Sequence, residues 1–156
     1  MVLIVALIVI AVDRLAKYLV ALNLPEGGTV ALAGDILRIT HVRNPGAAFG
    51  IFPNMQAVLI AASAAVIVAI GVYYAGHKPL RSAIKVALGL ELGGAIGNLI
   101  DRLVDGRVTD FIDVRIWPVF NLADAAVVCG VILLVAGLAL AEKRTEIQKS
   151  KAGDRS

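Results

Sequence analysis

The sequence predicts an all-α integral membrane protein, four transmembrane helices with a small β element at the outer surface, and three observations carry that reading. The 156 residues are 59% hydrophobic and only 17% charged, with a mean hydropathy of +0.85, a combination that soluble domains of this size rarely show. Four windows are long and apolar enough to span a bilayer core of about 30 Å. Most of the polar residues inside those windows fall at one depth, with Lys85 and Glu91 apart from them.

Residues 1–22 are apolar apart from Asp13, Arg14 and Lys17. No basic stretch precedes the run, no small-x-small cleavage site follows it, and "YLVALNL" resumes after the charges, so a retained span is expected rather than a removed leader. Residues 23–54 form a first outer loop. Thr29–Ala33 and Ile36–Val42 are β-prone runs around a Gly34-Asp35 pair, the pattern of a hairpin at the membrane surface. Residues 55–76 carry no charge and are the plainest span. Residues 83–103 hold Lys85, Glu91, Asn98, Asp101 and Arg102; residues 104–119 are a second outer loop whose "RVTDFIDVRIW" can supply partner strands. Residues 120–141 contain only Asn121 and Asp124 as polar groups, which closes a membrane domain of residues 1–141. The basic tail, residues 142–156, is expected to lack a fixed fold and to lie in solvent or against lipid headgroups.

Orientation follows from the basic loops. Lys78, Arg81 and Lys85 in the short connection, and Lys143, Arg144, Lys149, Lys151 and Arg155 in the tail, place both on the cytoplasmic side, so both termini are expected inside. The net charge of +3 adds little to this. Cys129, the single cysteine, can form no intrachain disulfide and reads as a small core residue in an apolar run. Nothing in the composition calls for nucleic acid, metal or cofactor.

Ionisable groups inside a membrane cost about 2.5 to 3.5 kcal/mol each on insertion scales, so each needs a reason. In this topology Asp13 and Lys17, Asn98, Asp101 and Arg102, and Asn121 and Asp124 all lie near the outer leaflet, with Asp110 in the adjoining loop. Asp13 and Lys17, four apart, can pair on one helix face, either as a neutralising ion pair or in contact with substrate. Glu91, Ala95, Asn98 and Arg102 form a stripe facing the bundle interior, and Asp101 falls at its edge. The glycines of "GGAIG" suit close helix packing in lipid. Two carboxylates in a poorly solvated place cannot both ionise easily, so Asp110 and Asp124 could share a proton and activate water. Helix capping by Asn121 or Asp124, and a proton relay through Asp13, Lys17, Glu91 and Asp124, are alternatives; Asp105 and Asp113 read as solvated loop acids.

"DRLAK", "NPGAAFG" (residues 44–50), "GGAIGNLIDR" (93–102), "VTDFID" (108–113) and "FNLADAAV" (120–127) resemble, in order and spacing, the motif series of bacterial lipoprotein signal peptidase, or signal peptidase II. The resemblance covers residues 13 to about 141. It implies an aspartic endopeptidase of the bacterial inner membrane, a target of globomycin, that removes the signal peptide from prolipoproteins just before the diacylglyceryl-modified cysteine. The implied partners are that prolipoprotein and membrane lipid, with no metal or cofactor, and a monomer suffices. Carried over by motif, Asp110 and Asp124 match the catalytic pair. Asn44, Asn98, Arg102, Asn121, Asp13 and Lys17 match supporting or substrate-binding residues, with Gly46 and Asp101 inside the same motifs, and the hairpin matches the family's outer β-cradle. Glu91 stands where the family pattern leads one to expect an apolar residue, and a basic partner inside the bundle is expected for it.

Overall fold

The computed structural model describes residues 1–34, 36–46, 55–77 and 80–153, with side-chain surroundings up to residue 139. Asp35 of the expected turn and most of "NPGAAFG", residues 47–50, lie outside the described residues. The chain runs α1 (Val2–Asn23), β1 (Thr29–Ala33), β2 (Leu37–Asn44), α2 (Met55–Gly76), α3 (Ser82–Val104), β3 (Val108–Asp113) and α4 (Leu122–Gly153). The three strands form one antiparallel sheet in the order β1-β2-β3. Among the described residues, three helical segments are long and apolar enough to cross a membrane: α2, α3 and residues Leu122–Ala139 of α4. α1 is equally long, at 22 residues, but carries Asp13, Arg14 and Lys17 in its interior.

α3 is the hub, packing against α4, α1 and α2, while the sheet sits on α1 and α3 at one end of the bundle. Glycine makes the closest of these approaches possible. A Cβ at Gly93 would stand 2.7 Å from the Cβ of Val9 in α1, and one at Gly94 would run into the Ala123 carbonyl of α4. With helices on several sides, α3 has no single buried face. Asp101, expected at the edge of the polar stripe, is therefore fully buried.

The burial pattern is inverted relative to a soluble protein. Asn121 and Asp13 are the largest side chains shielded completely, whereas Leu3, Leu7, Ile8, Val68 and Val72 face outward. Cys129, expected in the core, is exposed on this apolar exterior. An apolar run that faces lipid carries no signal for which side is inward. The segment after Ala141, expected to be unstructured, continues α4 to Gly153; "EKRTEIQKSKA" is built from strong helix formers and extends a helix already nucleated.

Candidate active site

The site grows from the N-terminus of α4. Asn121 precedes the helix and accepts a bond on Oδ1 from the Asp124 backbone N–H at 2.9 Å, while Asp124 Oδ2 accepts from the Asn121 N–H at 3.2 Å. This is a reciprocal capping box with aspartate in place of the usual glutamate. A further unpaired amide of that first turn, Ala123 N–H, donates to Asp13 Oδ1 of α1 at 3.0 Å. Capping thus consumes one Asp124 oxygen and leaves Oδ1, which accepts from Asn98 Nδ2 of α3 at 2.7 Å.

Asp110 arrives by a different route. It lies in β3 opposite Val42 of β2, and an isolated bridge between Ile112 and Phe120 turns the chain back so that Asn121 meets it. Asn121 Nδ2 donates to Asp110 Oδ1 at 2.6 Å and to Asn98 Oδ1 at 3.2 Å. Asn44, at the end of β2, donates from Nδ2 to Asp110 Oδ2 at 2.9 Å. Its orientation is fixed by Gly46, whose N–H donates to Asn44 Oδ1 at 2.8 Å and whose φ of +79° suits glycine. A side chain at Gly46 would also meet Leu59 of α2. Asp110 is 3% exposed. Burial pushes its carboxyl up to about 6; the bonds from Asn44 and Asn121 oppose that rise, and the charge of Asp124 adds to it.

Beneath this net lies an ionic cluster. Lys17 Nζ is 2.6 Å from Asp13 Oδ2, 2.7 Å from Asp101 Oδ2 and 3.1 Å from Asn98 Oδ1, and Arg14 pairs with Asp101. Two cations and two carboxylates balance, which is how buried charges persist. Arg14 was not singled out from the sequence. Its signal was its place as the second residue of "DRLAK", next to Asp13. His41 was also missed: it is buried in β2, with Nδ1 2.8 Å from the Leu24 carbonyl.

The fold brings Asp110, Asp124, Asn44, Gly46, Asn98, Asn121, Asp13, Lys17 and Asp101 into one connected network. Arg102 stands apart from both carboxylates, turned toward α2, where Nη1 is 3.5 Å from Ser63 Oγ and its carbonyl accepts from Gln56. Asp113 is no free loop acid. It accepts from the Arg115 backbone N–H and from Thr40, which together hold its carboxyl below the ordinary carboxylate range and shape a turn in which Arg115 takes φ 66°. Asp105 lies 3.7 Å from Arg43. Glu91 finds no basic partner: its Oε1 is buried without a hydrogen bond among the described residues. The stretch of α3 between it and Asn98 is Leu92 to Gly97, which holds no relay group. On the other side of Asp124 opens an apolar cleft of about 380 Å³, walled by Trp117, Phe120, Ala125, Val128 and Cys129. Among the described residues no three His, Cys, Asp or Glu side chains cluster as metal ligands would.

Comparison with known proteins identifies the family. A family model described as signal peptidase (SPase) II matches residues 5–140. The chain belongs to the signal peptidase II family. The lipoprotein signal peptidase of Moorella thermoacetica is 46% identical over 132 residues, 85% of this chain and 88% of that protein. That of Halothermothrix orenii is 44% identical over 144 residues, 92% and 98% of the two chains. Two solved structures, both described as a bacterial membrane enzyme determined by the in meso method, superpose with TM-scores of 0.81 and 0.82 at 31% and 32% identity, covering 93% and 88% of this chain and 90% and 91% of theirs. With three apolar helices, these likenesses mark a membrane protein and a peptidase.

Proposed function

We propose that this signal peptidase II family member is an aspartic endopeptidase that removes the signal peptide from diacylglyceryl-modified prolipoproteins, cutting before the lipidated cysteine. The observation that carries the reading is that Asn121 bonds Asp110 with its side chain while closing the capping box with Asp124, so two carboxylates from a strand and a helix serve one position. Asp110, the more buried and with its carboxyl raised to about 6, holds the shared proton and donates it to the scissile carbonyl oxygen. Asp124, beside the open cleft, draws a proton from the attacking water. The tetrahedral carbon collapses as the amine leaves, protonated by one of the pair.

The apolar cleft at Trp117, Phe120 and Val128 suits the acyl chains of the lipidated cysteine. Asn44 and Gly46 hold the outer rim, and Asp13, Lys17 and Asp101 fix the carboxylates from beneath. In this reading all four helices span the bacterial inner membrane with both termini cytoplasmic. The site then opens outward, a monomer suffices and globomycin blocks it. The test is cleavage of a diacylglyceryl-modified precursor by purified protein in detergent. Wild type cuts, and Asp110→Asn or Asp124→Asn does not; substantial turnover by either variant would refute the assignment. A reporter fused after Ser156 and active only outside would refute the topology.

A further inference from the structure

Two cavities lie in line along the side of α3 that faces the gap between α2 and α4. The one nearer the sheet, about 210 Å³, is bounded by Ser63 and Val66 of α2, Gly94, Asn98 and Arg102 of α3 and Val127 of α4. The one farther from it, about 280 Å³, is bounded by Ile70 and Tyr73 of α2, Leu88 and Glu91 of α3 and Leu134 of α4. α3 floors both, and α2 and α4 wall both. Asn98 and Glu91 are seven residues apart, about two turns or roughly 10 Å along one face. The stem of Glu91 packs on α4 where Gly130 leaves room: a Cβ there would stand 2.6 Å from Glu91 Cγ. The carboxyl lines the far cavity, 9% exposed, with Oε1 lacking any hydrogen bond among the described residues. An unmatched carboxyl oxygen in an apolar wall is costly to keep unless something it binds supplies the match.

The groove is continuous with the carboxylate pair through Asn98, which lines it and also donates to Asp124. We infer that the groove seats the apolar segment of the signal peptide, and that Glu91 is a specificity-determining residue that hydrogen-bonds a hydroxyl or amide side chain about two helical turns before the scissile bond. This rests on the peptidase reading above. Apart from Ser63 and the Asn98–Arg102 end near the sheet, and Glu91 with Tyr73 in the far cavity, the walls are apolar, so a helix of leucine and alanine fits along them and a polar side chain is recognised at the depth of Glu91.

The test is a set of lipidated precursors whose apolar segment carries one serine, moved from about three to about eleven residues before the cut, each compared with its leucine counterpart on the wild-type protein. Serine at roughly seven residues before the cut is expected to lower KM by about threefold to tenfold, with kcat for the two substrates alike, and serine elsewhere to gain nothing. Glu91→Gln keeps the preference and Glu91→Leu removes it. A flat positional profile on wild type overturns the inference whatever the variants do, as does a preference that survives Glu91→Leu. Failure of wild type to cut any precursor in the set would instead overturn the peptidase reading.

Discussion

The two halves of the bundle, compared along α3, obey opposite rules. Toward the sheet, Asn98 and Asp101 are buried beside Asp13, Arg14 and Lys17, whose charges answer one another, and the packing is set by hydrogen bonds whose lengths run from 2.6 to 3.2 Å. Away from it, Val2, Ile70, Ile84 and Leu88 form a small apolar core against Tyr73, Tyr74 and Leu134, with Glu91 the unmatched exception. In lipid an apolar contact has little advantage over an apolar contact with the solvent, so the polar half fixes geometry and the apolar half only fills space.

The sharpest way to break that contrast is at the carboxylates. Asp110→Asn and Asp124→Asn are each expected to lower precursor cleavage by about 10⁴-fold or more, and the double variant to be scarcely worse than either, because a second deletion removes nothing that still works. Asp113→Asn should cleave normally, since that carboxylate shapes a turn. Single-turnover rates at matched folded concentration decide it.

Next comes the ionic cluster. Asp13→Ala leaves Lys17 with one carboxylate fewer and uncaps Ala123, and should cost about 3 to 5 kcal/mol of stability, read as thermal unfolding in detergent. Lys17→Ala should impair folding or binding before chemistry and lose less turnover than Asp110→Asn. Equal loss of turnover at equal protein level would contradict the supporting role.

Acidity gives a subtler probe. The Asp110 carboxyl rises from 3.8 in the open chain to about 6 in the fold, so the folded state holds its proton more tightly. The stability this group contributes is full below pH 3.8 and is lost as pH rises through about 6. Asp110→Asn should flatten that part of the stability curve. Asn44→Ala removes a donor that favours the ionised form, so the alkaline limb of the cleavage profile should move to higher pH. A limb unmoved, or moved down, would sever Asn44 from Asp110. The smallest effect belongs to the apolar half: Val68→Ala and Val72→Ala, both facing outward from α2, should change stability by less than about 0.5 kcal/mol and leave cleavage alone.

The apolar half was the easier to read from sequence. Expected at 55–76, α2 runs Met55–Gly76, and β1 occupies Thr29–Ala33, because hydropathy and strand preference are local signals. Where partners lie far away the reading drifted. β2 extends to Asn44 rather than Val42 because Arg43 and Asn44 pair with Thr109 and Val108 of β3, and α4 begins at Leu122 because Asn121 is spent as its cap. Helical periodicity assumes one buried face, so it misjudged Asp101 on a helix enclosed from several sides. The site residues could be named from motifs in chain order. Of their contacts, only the Asp13–Lys17 pair, four apart on one helix, could be read; Asn121 meets Asp110 through the Ile112–Phe120 bridge, and no periodicity encodes that.

The bond from Ala123 to Asp13 spans 110 positions of chain and has a bearing on biosynthesis. A ribosome adding about 5 to 20 residues each second completes α1 many seconds before α4 has begun. Through that interval Asp13 lacks the Ala123 amide, and Lys17 gains Asn98 and Asp101 only once α3 has been made. In the peptidase reading proposed above, proteolytic competence then arises late, when the last helix brings Asp124 to Asp110 and Ala123 to Asp13, so that an unfinished chain cuts nothing.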